Sequence, residues 1–449
     1  MEISIVGSGY VGLISGLGFA KAGHSVTLIE RREEVVKKIM QGEPPFYEPG
    51  LDALLAEMLR GGKIRATGDF AGAIGGSGAT FICVGTPSDA KGNIDLSDIR
   101  GAAEQIGGAL AKKSGRHTII VKSTVVPGTT ALLGGIVASK SGRKIGLGMN
   151  PEFLREGCAV EDVLCPDRIV LGADDEESMR IMREIYAHSP APKLEVGIRT
   201  AEMIKYANNS FLALCVSFAN EISQICERLP GVDAYKVMEG VALDGRLQAG
   251  EAGAKKPAGI ASYLVPGCGF GGSCFPKDVK AMREFAARKG YAARLITGTM
   301  EINGEQAGLA VQKLEKSMGS LDGKKIAILG VAFKPDTDDV RESPALRIID
   351  HLLAKGAIIS ATDPQGLKNA ERIYGKKIAY AAGWKAALEG ADAAVLVTKW
   401  REFSEIRPED FERLLKKPHR LVDCRGFYSA AGYQSKLEYG KLGLNRELR

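Results

Sequence analysis

Ile3-Ser4-Ile5-Val6-Gly7-Ser8-Gly9-Tyr10-Val11-Gly12 opens the chain with a short apolar run followed at once by glycines spaced G-x-G-x-x-G. The run reads as a strand, and small residues to about Ala22 read as the helix that follows. Ser25-Val26-Thr27-Leu28-Ile29 is a second strand ending in an acid, Glu30. Gly7 makes the tight turn, Gly9 lets a pyrophosphate reach the backbone, and Gly12 lets the helix pack on the sheet. Tyr10 and Val11 start the helix, whose free N–H groups favour phosphate. A glycine-rich turn that only packs a helix has the same spacing. Strand, glycines, helix, strand and acid in this order predict a dinucleotide site. Glu30 suits ribose hydroxyls and repels a 2′-phosphate, which favours NAD over NADP, although Arg31 and Arg32 could counter that preference.

The alternation continues through strands at 79–84, 117–122 and 144–149, closed by Thr86, Thr124 and Glu152 respectively. Ligands bind beyond the carboxyl ends of parallel strands. Each of these polar residues would serve equally as a strand terminator or helix cap. In Asn150-Pro151-Glu152-Phe153-Leu154-Arg155-Glu156-Gly157 two carboxylates stand four apart, which on a helical turn would put them on one face. Paired acids suit proton transfer, and they are also common on solvated helix faces.

From about Thr200 to Arg228 the pattern is helical without Gly or Pro, and apolar around much of its circumference. Lys205 and Asn209 lie one turn apart on it. A buried lysine needs a partner, a function, or room for its ammonium to reach water. An exposed loop is expected over 248–263. It leads to Gly269-Phe270-Gly271-Gly272-Ser273-Cys274-Phe275-Pro276-Lys277-Asp278, where a thiol follows glycines and precedes a cation that favours the thiolate. Helices are expected at 278–289 and 292–318. A second set of strands, from 324, lacks the glycine fingerprint and suits a nucleotide of another kind. Lys334 and Arg341 fall past its first strand, and Arg425 past a later one.

The expected architecture is therefore α/β: two Rossmann-like doubly wound domains, 1–198 and 301–449, joined by a helical domain, 199–300, built on a long helix. The 449 residues carry a net charge of +6, too mild to imply nucleic acid. Eight cysteines without C-x-x-C pairs, and only five histidines, suggest reduced thiols and no metal site. No export signal or membrane-length apolar run is legible, so a cytoplasmic protein with no membrane partner is expected.

A nicotinamide site with a thiol has a specific chemical meaning. An alcohol loses a hydride, the thiolate captures the aldehyde, and a second hydride loss gives a thioester that water releases as an acid. The chain resembles the nucleotide-sugar 6-dehydrogenases, the UDP-glucose/GDP-mannose family. The resemblance is carried in order by GSGYVG, VGTPS, KSTVVPGT, NPEFLREG, EMIKYANNSF, GFGGSCFPKD and FKPDTDDVRES. It implies two NAD-dependent oxidations of a sugar C6. It implies Cys274 as nucleophile and Lys205, assisted by Asn209, at the oxyanion. Asp278, Thr124 and Glu152 would hold water and move protons. NAD contacts implied are Val11, Glu30, Thr86, Thr124, Glu156, Lys277 and Arg341. Substrate contacts implied are Glu152, Phe153, Leu154, Arg155, Glu156, Lys205, Asn209, the stretch Val265, Pro266, Gly267, Cys268, Gly269, Phe270 and Gly271, and Lys334 and Arg425.

Arg246 matches an arginine lent by a neighbouring subunit, which implies at least a homodimer. The chain departs from many family members in an insertion over 250–261 and in Val35, where a lysine is usual. Leu212 and Val265 depart from the GDP-mannose branch, although Tyr263 and Pro266-Gly267 resemble it. The UDP-sugar branch is therefore favoured.

Overall fold

The computed structural model describes residues 1–89, 91–250 and 256–444. It divides into two compact units, Met1–Asn208 and Asn209–Arg449. In the first, β1 (Glu2–Val6), β2 (Ser25–Ile29), β3 (Ile64–Thr67), β4 (Ala79–Ile82), β5 (Thr118–Val121), β6 (Gly146–Met149), β7 (Ile169–Ala173) and β8 (Lys193–Val196) form one sheet. Their order is β3-β2-β1-β4-β5-β6-β7-β8. Only the β6–β7 pairing is antiparallel. The chain reverses its strand order between β1 and β4, where a doubly wound sheet opens its ligand crevice.

The central strands β4 and β5 are buried along their whole length, as apolar runs covered on both faces should be. They end earlier than their apolar runs suggest. Ile82 is already level with Val6, the last residue of β1, so Cys83 and Val84 have passed the ladder's edge. The helix Tyr10–Lys21 sits directly on the sheet. A Cβ on Gly12 would stand 1.8 Å from the Gly7 carbonyl oxygen, which is why only glycine serves there.

The stretch 151–157 is not helical, contrary to the spacing of its two acids. Its amides are claimed by side chains. Leu154 N donates to Glu152 Oε2 at 2.7 Å, and Arg155 N to Asp162 Oδ2 at 2.7 Å. Such local bonds compete with the helical ladder. Glu152 and Glu156 therefore do not share a helix face.

A helix of 29 residues, Ile198–Cys226, runs through the boundary between the units. The second unit adds the short pair β9 (Gln248–Ala249) and β10 (Lys256–Pro257) and a 3-10 helix, Gly259–Tyr263, within what the sequence suggests is plain loop. Part of the 250–261 insertion, residues 251–255, lies outside the described residues. The second sheet contains β11 (Lys325–Leu329), β12 (Ile358–Thr362), β13 (Ala379–Tyr380), β14 (Ala393–Leu396), β15 (Arg420–Asp423) and β16 (Glu438–Lys441). It is wholly parallel, in the order β13-β12-β11-β14-β15-β16.

The two sheets start alike. Gly7 N donates to Ile29 O at 3.0 Å, and Gly330 N to Thr362 O at 2.8 Å, both glycines having positive φ. Ser343 caps the helix Pro344–Ala354 through its side chain, with proline in the first turn. No helix among the described residues is long and apolar enough to cross a membrane.

Candidate functional site

In the first unit, the turn after β1 ends at Gly9, the N-cap of the helix Tyr10–Lys21. A Cβ on Gly9 would meet nothing within 4 Å, whereas one on Gly7 would stand 2.7 Å from Cys83 O. The space beside Gly9 is thus a cradle over free helix N–H groups. Ser8 Oγ is buried there without a hydrogen-bond partner among the described residues. These features fit a dinucleotide pyrophosphate.

Glu30 closes β2 and is buried. Arg32 donates to it from Nε at 3.0 Å and Nη2 at 3.2 Å, and from its backbone N–H at 3.0 Å. Burial raises the carboxyl, but the Arg32 hydrogen bonds outweigh it and hold the group below its ordinary range. Glu30 is thereby fixed as an anion at the end of β2. Thr86 Oγ1 donates to Thr124 O at 2.9 Å, tying together the loops past β4 and β5.

Glu152 follows β6. Its Oε1 stands 2.8 Å from Lys205 Nζ, with both side chains buried, and Oε2 accepts from Leu154 N. Burial raises the Glu152 carboxyl, and the Lys205 charge more than reverses this. The buried lysine therefore has a carboxylate partner. Two cations stand over the Phe153 ring: the Arg168 guanidinium is 3.8 Å from its centroid and Lys205 Nζ is 5.3 Å away. Arg168 also donates to Asn208 Oδ1 at 2.9 Å. The Arg155 guanidinium pairs with Asp162.

Two organising residues escaped the sequence reading. Glu48 is buried and accepts from Tyr10 OH at 2.6 Å, Gly157 N at 2.7 Å and Ala159 N at 2.7 Å. It fastens the end of the 150–157 loop to the glycine-turn helix. Lys122, at the end of β5, donates to Asn150 Oδ1 at 2.8 Å. Burial pushes it down to about 8, against the opposing pull of Cys83 and Glu152.

In the second unit, Cys274 is the N-cap of the helix Phe275–Arg288. Its sulfur thus stands at the end of a helix where negative charge is stabilised. Ser273 Oγ lies 3.5 Å from Cys274 Sγ. One turn on, Asp278 is buried; Asn209 Nδ2 donates to its Oδ2 at 2.7 Å, and Lys277 Nζ pairs with its Oδ1. The cation whose spacing suggests a counter-charge for the thiol therefore engages the neighbouring carboxylate.

The glycine loop before the thiol is clasped from several sides. Asn303 accepts from Phe270 N at 2.7 Å and donates to Phe270 O at 3.1 Å. Asn220 accepts from Gly267 N at 2.8 Å, and Arg425 donates to Gly269 O at 3.1 Å. Gly272 N donates to Arg341 O at 2.9 Å. Gly272 has φ +85, and a Cβ there would stand 2.8 Å from the Phe333 ring. Val265 is exposed at the mouth of this loop, and Pro266, Gly267, Cys268, Gly269, Phe270 and Gly271 are buried. Asn220 and Asn303 bear no motif; only their distant partners reveal them.

In the C-terminal sheet the acid after β12, Asp363, accepts from Val331 N, Ala332 N, Gln365 N, Gly366 N and Trp400 Nε1. The carboxylate that matches Glu30 in topology is used up in holding the loop past β11. Lys334 lies in that loop, and the Arg341 guanidinium pairs with Asp339. Arg246 is exposed and pairs with Asp244. None of the eight cysteines is in a disulfide. The described residues contain no cluster of metal-ligating side chains.

Three consecutive segments match the UDP-glucose/GDP-mannose dehydrogenase family: its NAD binding domain over residues 1–189, its central domain over 199–305 and its UDP binding domain over 327–430. The chain is 41% identical to UDP-glucose 6-dehydrogenase AglM of Haloferax volcanii, over 95% of this chain and 98% of that protein. It is 40% identical to UDP-glucose 6-dehydrogenase TuaD of Bacillus subtilis, over 96% of this chain and 92% of that one. A solved UDP-glucose dehydrogenase from Pyrobaculum islandicum superposes with a TM-score of 0.90 at 36% identity, covering 98% of this chain and 97% of its own.

Proposed function

The chain belongs to the UDP-glucose/GDP-mannose dehydrogenase family, and from that premise we propose that it is a UDP-glucose 6-dehydrogenase. It oxidises the sugar C6 hydroxymethyl to a carboxylate in two NAD-dependent steps. The observation that carries the reading is the placement of Cys274 at a helix N-terminus, one turn from the Asn209–Asp278 hydrogen bond. A single-step alcohol dehydrogenase has no use for such a thiol.

NAD is held by Gly7, Gly9, Tyr10, Val11, Gly12, Glu30, Thr86, Thr124, Glu156, Lys277 and Arg341, and when bound it supplies a hydride acceptor for each oxidation. Lys205 stabilises the developing oxyanion, aided by Asn209. Glu152, which already holds the Lys205 ammonium, takes up the hydroxyl proton. The Cys274 sulfur bonds to C6 of the aldehyde, giving a thiohemiacetal and, after the second hydride loss, a thioester. Asp278 and Thr124 hold the water that hydrolyses it and restores the thiol. The sugar nucleotide is held by Phe153, Leu154, Arg155, Glu156 and the backbone of 265–271, with Lys334 and Arg425 on its nucleotide.

The protein works as a homodimer or a higher assembly in the cytoplasm. Phe211, Phe218 and Ile225, each two helical turns apart on the long helix, are 55%, 44% and 51% exposed. Leu229, Val237, Val241 and Leu243 add apolar surface nearby in sequence. Such a patch suits a second copy of the chain, which would receive the exposed Arg246.

A panel of UDP-glucose, UDP-N-acetylhexosamines and GDP-mannose tests the substrate. UDP-glucose should give the highest kcat/KM with NAD. A clear preference for GDP-mannose or an acetylated sugar would reassign it.

A further inference from the structure

Oxidising a primary alcohol to a carboxylate, with two hydrides removed and one water added, liberates three protons. One leaves as the alcohol becomes an aldehyde, one as the thiohemiacetal becomes a thioester, and one as the released acid ionises. On the reading above, protons are passed to Glu152, whose carboxylate is buried against Lys205. Each must then reach water before the next can be accepted.

A cavity of about 70 Å³ lies behind Glu152, within the first unit. It is roomy enough for water, and Lys122, Asn150, Glu152 and Tyr186 line it with polar groups. The exposed His188 lines it as well. Tyr186 OH donates to Asn150 Oδ1 at 2.5 Å and accepts from Lys122 Nζ at 3.4 Å. The Tyr186 and His188 rings stack with centroids 6.5 Å apart. Ser15, in the helix after the glycine turn, also lines the cavity, and its buried Oγ has no partner among the described residues. A buried hydroxyl costs free energy unless it is hydrogen-bonded, and a water in this cavity would satisfy it.

We infer that this cavity is a proton exit, in which water carries protons from Glu152 past Lys122, Asn150 and Tyr186 to His188 at the surface. Water in the cavity carries the proton between the ionisable groups, and the Asn150 amide only orients Lys122 and Tyr186; Glu152 releases the proton it accepted, and bulk water beyond His188 receives one. Burial pushes Lys122 down to about 8, so beside this cavity its ammonium gives up a proton more readily than an exposed lysine does. Tyr186 and His188 are relay groups, acting on the chemistry only through Glu152. The inference rests on the two-oxidation reading.

The test is stopped-flow turnover of the full chain with UDP-glucose and NAD in weak buffer, following NADH by absorbance and protons by an indicator dye. In the parent protein the two signals should rise together. Tyr186→Phe and His188→Ala should make proton release lag and slow turnover roughly tenfold, a modest effect for a proton-transfer group. KM for both substrates should be unchanged, and imidazole or methylamine buffer should restore the rate. Thermal melting checks that each variant is folded; should Tyr186→Phe not fold, His188→Ala, at an exposed site, decides alone. Wild-type rates in weak buffer, or a loss that small buffers do not relieve, would overturn the exit. If the parent protein forms no NADH from any nucleotide sugar, the functional reading fails and the exit falls with it.

Discussion

Lys205 Nζ and Glu152 Oε1 stand 2.8 Å apart with side chains only 4% and 7% exposed. Removing one partner of such a pair takes the counter-charge from a buried ion, at a cost of about 3–5 kcal/mol. Lys205→Met or Glu152→Gln alone should lower unfolding free energy by about that much. The double variant should lose less than the sum of the two. Denaturant titration of all four proteins measures the coupling; strictly additive losses would show that the pair is not energetically linked.

Glu30 is held ionised by Arg32. Hydrogen bonds to a charged acceptor contribute about 1.5–3 kcal/mol, so Glu30→Gln should raise KM for NAD about tenfold or more. It should also lower KM for NADP, because the repulsion of a 2′-phosphate is gone and the Arg32 charge remains beside it. Initial rates with both cofactors decide; an unchanged NAD/NADP ratio would remove Glu30 from the discrimination.

Lys122 is pushed down to about 8 by burial, against about 10.4 in an unfolded chain. Between those values the unfolded state binds a proton that the native state does not, so this group makes stability rise with pH. Its contribution is full above the unfolded value and is lost as pH falls through 8, on the order of 3 kcal/mol. Lys122→Met should flatten the dependence of Tm on pH from 8 to 10. An identical slope in both proteins would count against the depressed titration.

Phe218 lies midway along the exposed apolar stripe of the long helix. A buried, unpaired carboxylate at an interface is costly, so Phe218→Asp should shift the assembly toward monomer in sedimentation velocity. A parent protein that sediments as a monomer would refute the proposed dimer surface.

Local signals made much of this molecule legible. Gly7, Gly12 and Glu30 are separated by fewer than thirty residues, and the turn they build depends on their own backbone conformations. The long helix likewise sets Lys205 and Asn209 one turn apart by periodicity, whereas roles for them come only from the family resemblance. The 150–157 loop was harder, because Leu154 and Arg155 give their amides to Glu152 and Asp162, and spacing cannot show that a side chain has taken a helical donor. Glu48 was invisible because Gly157 and Ala159, its partners, lie 109 and 111 positions away. The clasp of Asn303 on Phe270 is long-range in the same way. β3, β7 and β8 are short strands near one end of the first sheet or at its edges, with mixed or weakly apolar patterns in β3 and β8.

The central claim is that the Cys274 sulfur captures an aldehyde so that one carbon loses two hydrides. Counting NADH formed per UDP-glucose consumed, in the parent protein and in Cys274→Ala, tests it most directly. The account predicts two NADH per sugar for the parent, with a carboxylate product, and no carboxylate from the variant. One NADH per sugar in the parent, or full two-hydride turnover without the thiol, would contradict it.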